Sequence, residues 1–343
     1  MVVPVVSADR RMTKAQVVLS FTVVLAGLGL LGARILDLGP EMLGPSGSLL
    51  IAAVYTWAVV ARSGGRPVIF TALVLVLGGV SVVSGDDYLR SSSAVATGTL
   101  AAVLGVMMTV PAVRFAQALR EATVAVAVAS VGAVAVLGFE PSITLAAFDY
   151  AVLVLSLVAT FGLVFRLGAG FHGLGRRGVL IVLIGAVVLT LTLMYAELLR
   201  RYGTAGLIED LLDMVRWSRD TLGAFPRPLE TVLGVPALVW GTHMRARRRQ
   251  GWWVCAFGAA ATAPVATCLL NPEIGALEAA LSVLYGLIVG ALIGAVVIRI
   301  DLFLTGSPAT GTRRRPSGRR AAIDMAEDEG AIRPEPARVD ALL

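Results

Sequence analysis

The sequence predicts an all-α protein, a polytopic bundle of about ten transmembrane helices with both termini in the cytoplasm. Three observations predict it: an apolar composition, a recurrence of apolar stretches near membrane length, and an uneven placement of arginines between the loops. Of 343 residues, 57% are hydrophobic and 15% charged, with a mean hydropathy of +0.83. Soluble domains sit nearer about 45–50% apolar and about 25% charged, so the composition argues against a cytosolic enzyme. A stretch of about 20 apolar residues crosses the hydrocarbon core of a bilayer, and ten segments come near that length.

The first, 17–36, follows Arg10, Arg11 and Lys14 as a signal peptide would. Its apolar run is too long for a cleaved leader and no Ala-x-Ala site precedes Arg34, so it reads as a retained anchor. Segments 47–61, 68–84 and 94–113 follow. Segment 123–139 contains the near-strict Val/Ala alternation of residues 124–136, a strand pattern in water. In lipid an isolated strand leaves its amides unpaired, so a helix is expected. Segments 145–165, 178–196, 230–243, 252–270 and 276–298 complete the ten. The second and eighth are short and the eighth carries Pro236; without them the count is eight.

Between the seventh and eighth segments lies a longer external loop. Ile208, Leu211, Leu212, Val215 and Leu222 share one helical face, and Glu209, Asp213, Arg216 and Asp220 the other. An amphipathic helix near 205–222 is expected on the outer membrane surface, with Trp217 at headgroup level. It could gate a lateral entrance for a lipid-linked substrate, with Arg200, Arg201 and Arg216 near a phosphate, or simply cap the bundle.

With ten spans and an internal N-terminus, 22 basic residues fall inside and 7 outside, while acids fall 9 inside and 14 outside. The inner face is then +13 and the outer −7, as the positive-inside rule requires. The pI of 9.9 therefore reads as topology rather than nucleic-acid binding, because the arginines are shared among short loops. The chain divides into a cytoplasmic N-terminus (1–14), a helical bundle (15–303) and a charged cytoplasmic tail (304–343) expected to be disordered. Arg313, Arg314 and Arg315 at the root of that tail suit contact with anionic lipid.

Polar chemistry in the spans is sparse. Asp149 and Tyr150 lie within the sixth, Tyr195 and Glu197 close the seventh, and Glu230 opens the eighth. An ionisable group inside a span usually faces the bundle interior or water, which makes Asp149 the leading candidate for a proton or cation site; an interfacial carboxylate is the plainer alternative. Gly286, Gly290 and Gly294 stack on one face of the last span, so that another helix, within the bundle or in a second copy, can approach closely. Cys255 and Cys268 are about 20 Å apart along a helix, too far for a disulfide. His172 and His243 offer no ligand cluster, so neither metal nor other cofactor is expected. There is no phosphate-binding loop, Gly-x-Ser-x-Gly elbow or His-Glu-x-x-His helix, and no catalytic residue is assigned; a membrane-embedded lipid transferase trails the other readings.

The expectation is an integral, non-enzymatic protein of a bacterial cytoplasmic membrane, a setting suggested by the preference for Arg over Lys among Ala, Val and Gly. It would act as a secondary transporter or flippase of a small or lipid-linked solute. The alternative is a non-catalytic scaffold or accessory subunit of a larger envelope complex, bound to a membrane-protein partner or to its own copies.

Overall fold

A computed structural model describes residues 14–169, 171–247, 251–305 and 335–342. Among these residues there is no strand, and nine helices are long and apolar enough to cross a membrane. They are α1 (Lys14–Ile35), α2 (Leu43–Arg62), α3 (Pro67–Ser84), α4 (Asp87–Met107), α5 (Phe115–Leu137), α6 (Leu145–Val164, continuing to Leu167), the apolar stretch Gly178–Tyr195 of α7 (Phe171–Tyr202), the broken span Gly251–Leu270, and α13 (Ala276–Thr305). The amphipathic α8 (Ala205–Leu222) and the shorter α9 (Val235–Arg245) lie between α7 and the broken span. An apolar, all-helical chain of this kind is consistent with an integral membrane protein.

Local chemistry sets the helix ends, and some differ from the hydropathy reading. The second segment is a full 20-residue helix, because Leu43–Ser46 add a turn before the apolar run. The fourth begins seven residues before the predicted start, where the Asp86 side chain accepts from the Leu89 amide at 3.0 Å as an N-cap. It also ends at Met107, short of Pro111. Hydropathy places the segment too far along because the first turns of α4, Asp87 to Ser93, are polar. The Val/Ala alternation is helical, as expected: α5 turns a face of Ala118, Ala122, Ala125, Ala129 and Ala133 inward. Those small side chains let α4 and α2 come close, and Tyr55 of α2 donates to the Val128 carbonyl of α5 at 2.7 Å.

The most enclosed span is the one that is not a continuous helix. Gly251–Leu270 divides into α10 (Gly251–Ala256), α11 (Ala259–Thr262) and α12 (Pro264–Leu270). A turn at Phe257 and Gly258 makes the first break, and Pro264, which has no amide hydrogen to donate, the second. α4 and α6 enclose it: Thr262 donates to the Ala102 carbonyl at 3.0 Å, and Phe161 meets the Phe257 ring edge-on at 5.1 Å. α9 lies along it through glycines. A side chain on Gly234 would strike the Ala260–Ala261 backbone, and one on Gly241 would lie 2.6 Å from Cys255 Sγ.

α1, α3 and α7 lie at the periphery and turn large apolar side chains outward; Val83, for example, is 79% exposed. In water such a surface would drive association, whereas in a bilayer it is the expected solvent-facing side.

Candidate functional site

The eighth segment enters the bundle through a π-turn, Leu229–Gly234, which leads into α9. Pro236 explains it. A proline two residues into α9 has no amide to close the usual i to i−4 bond, and the Val235 amide instead donates five residues back, to the Glu230 carbonyl. Such one-turn π-bulges re-aim side chains. Here the Glu230 carboxylate is directed into the protein, where it is only 1% exposed. It rests against Gly286 of α13, at which a Cβ would lie 2.6 Å from the Glu230 carboxyl carbon. Its Oε1 has no hydrogen-bond partner among the described residues. Arg227, one turn earlier, lies within electrostatic range.

Around Arg227 the broken span contributes its last piece, α12. The Arg227 guanidinium donates to the Pro264 carbonyl at 3.3 Å. Thr267 donates to Asp149 Oδ1 of α6 at 2.7 Å, and Asp149, Arg227 and Glu230 all lie within electrostatic range of Cys268. Two carboxylates and a guanidinium, from α6, the π-turn and the connection just before it, thus converge on one end of a discontinuous helix. A buried carboxylate with an open oxygen beside a cation can exchange a proton or coordinate a cation.

Of the residues singled out from sequence, Asp149 and Glu230 belong to this cluster. Tyr150 faces outward and is exposed, as is Tyr195, and Glu197 pairs with Arg201 on its own helix at 2.7 Å. Gly286, Gly290 and Gly294 all face the eighth segment: Glu230, then Val235 with Thr231, then Val239 with Pro236. α8 is capped by Thr204 and by Gly223, whose φ of 79° is left-handed. It is held at its end by Tyr285, which donates to the Leu222 carbonyl at 2.8 Å. Trp217 on it is exposed. Arg313, Arg314 and Arg315 lie outside the described residues. Among the described residues no group of three or more His, Cys, Asp or Glu side chains is placed to share a metal ion.

A second polar cluster, at the opposite end of the helices, has no counterpart in the sequence reading. Arg245 closes α9 with its side chain fully enclosed. Its guanidinium lies 3.5 Å over the Trp252 ring and donates to Thr109 Oγ1 at 2.7 Å and the Thr109 carbonyl at 3.2 Å. Arg62, closing α2, donates to the Met107 carbonyl at 3.2 Å. Glu121 of α5, also fully buried, accepts from Arg120 at 2.9 Å and the Val110 amide at 3.0 Å. Arg62 and Arg245 read as loop charges that set orientation, which hides their burial. The available signal was Glu121, the only carboxylate between residues 10 and 300 on the arginine-rich side of the predicted topology.

The sequence reading treats 304–343 as one free tail. Of these, residues 335–342 lie in this second cluster: Glu335 forks onto Arg245, Arg338 meets Glu121 at 2.8 Å, and Arg62 donates to the carbonyls of Ala337 and Asp340 at 2.6 Å each.

No family model matches this chain, and comparison with curated proteins and with solved structures finds no similar protein.

Proposed function

We propose that this chain is a multi-pass membrane protein that moves a small or lipid-linked solute as a secondary transporter or flippase, with Glu230 and Asp149 as its coupling carboxylates. The observation that carries the reading is the Glu230 carboxylate, buried beside Arg227 with one oxygen that has no hydrogen-bond partner among the described residues. An ionisable group is costly to keep inside a span, and one kept there by a π-turn and a glycine opposite it suits a site that changes occupancy. A discontinuous helix at the same place supports this reading, since freed backbone groups and half-helix ends are a common way to build an ion or solute site within a bundle. α8 fits a surface element beside that site.

The test is reconstitution into liposomes under an imposed proton gradient, with an entrapped pH indicator and a panel of small and lipid-linked solutes. Solute-dependent proton movement is expected in the unaltered protein and is lost in Glu230→Gln, with a reduced rate in Asp149→Asn. Undiminished coupled flux in both variants removes the two carboxylates from the mechanism. A protein without flux that co-purifies with a stable membrane partner in mild detergent is a scaffold instead.

A further inference from the structure

The arginine-lined pit at the ends of α2, α4, α5 and α9 has the construction of a binding site. Three of its charged groups, Arg62, Glu121 and Arg245, are satisfied twice, once by the body of the protein and once by segment 335–342. Arg245 has Thr109 and the face of Trp252 on one side and the Glu335 carboxylate on the other. Glu121 has Arg120 and the Val110 amide, and then Arg338. Arg62 has the Met107 carbonyl, and then the Ala337 and Asp340 carbonyls. The first set of partners belongs to the body of the protein, outside the segment.

The segment has the features of a ligand. Among its described residues it forms no helix or strand, and its side chains remain partly exposed. Apart from a turn of its own, its backbone amides make one hydrogen bond among the described residues, from Leu342 to the Arg62 carbonyl at 2.9 Å. Along the chain, residues 306–334 separate it from α13. The charges also match. Arg62, Arg120 and Arg245 outnumber Glu121, and the segment brings Glu335 and Asp340, both within electrostatic range of Arg62, with Arg338 placed on the one carboxylate of the pit. The fork of Glu335 on Arg245 is the planar two-bond geometry by which arginine recognises carboxylates.

We propose that this pit is a recognition socket for segment 335–342, a tethered peptide ligand that leaves and returns, and not a fixed part of the helical bundle. The socket reads a carboxylate at Arg245, a cation three residues on at Glu121, and the carbonyls of the Ala337–Asp340 turn at Arg62. Occupied, it covers this end of the bundle; vacated, it presents two guanidinium groups to the surrounding solution. The assignment does not depend on the transport reading.

The experiment uses the full chain in detergent. The double variant Glu335→Gln, Arg338→Gln leaves the socket intact and weakens its resident segment. A fluorescent synthetic peptide of residues 335–342 is then expected to bind this variant saturably, and the unaltered chain about tenfold or more weakly, because there the tethered segment competes. A peptide carrying the same two substitutions is expected to bind the variant about tenfold or more weakly than the native peptide. Hydrogen exchange on the unaltered chain supplies a readout free of mutation: the amides of 335–342 are expected to exchange well before those of α9. Binding that ignores the two substitutions, no saturable binding to a folded double variant, or protection of the segment equal to that of α9 would each overturn the proposal.

Discussion

Replacing Gly290 tests the contact that places Glu230. A Cβ at this position would lie 2.6 Å from Val235 Cβ, 3.0 Å from Val235 Cγ1 and 3.2 Å from the Thr231 carbonyl oxygen. Carbon atoms rest about 3.5–4.0 Å apart, so α13 and the eighth segment must part by about 1 Å to admit alanine. Val235 gives no relief, since a β-branched side chain on a helix has one strongly preferred rotamer. Overpacking of this kind costs about 1–3 kcal/mol, and the gain in helix propensity of alanine over glycine returns up to about 1 kcal/mol. Gly290→Ala should therefore be less stable than a glycine-to-alanine change at an open helical position by about 1–3 kcal/mol. Gly290→Leu, with three further carbons in the same space, should cost more than about 3 kcal/mol. Gly79→Ala on α3 is the control: nothing lies within 4 Å of its Cβ position, and it should be neutral or slightly stabilising. Thermal unfolding in detergent, followed by a thiol-reactive fluorophore, reads the difference. If Gly290→Ala unfolds at the midpoint of Gly79→Ala, the close approach of α13 to the eighth segment is wrong.

Two further outcomes follow from the same geometry. Thr267→Val removes the hydroxyl that donates to Asp149 and should lower stability by about 1–2 kcal/mol; in an Asp149→Asn background the loss should shrink, and a fully additive loss would show that the two side chains do not interact. Cys255 and Cys268 are both buried and unpaired with each other, so a maleimide should label them only on unfolding, and rapid labelling of the native protein by mass spectrometry would contradict the enclosure of the broken span.

How much was legible in the sequence depends on the range of the interaction involved. Hydropathy summed over about 20 residues is a property of a segment, and it located the apolar cores of α1, α3, α6 and the last two spans. Where polar residues are helical, as in the first turns of α4, or where a cap ends a helix, the window misplaces the boundary. The candidate site was legible as separate carboxylates, Asp149 and Glu230, because a charge in an apolar run is conspicuous by itself. Their convergence on Cys268 and Arg227 depends on how α6, α12 and the π-turn pack, which no local pattern encodes.

The sequence by itself determined that this is an apolar, all-helical chain with helices of membrane length, since burial in lipid is dictated by composition over a single turn-by-turn stretch. Tertiary structure alone decided which helix is central, and that it is a broken one. It also decided that Arg62 and Arg245 are enclosed rather than solvated, and that residues 335–342 lie against them. The physical reason is that the environment of a charge is set by neighbours distant along the chain: an arginine at the end of a span reads the same whether it faces water or a carboxylate 90 residues away.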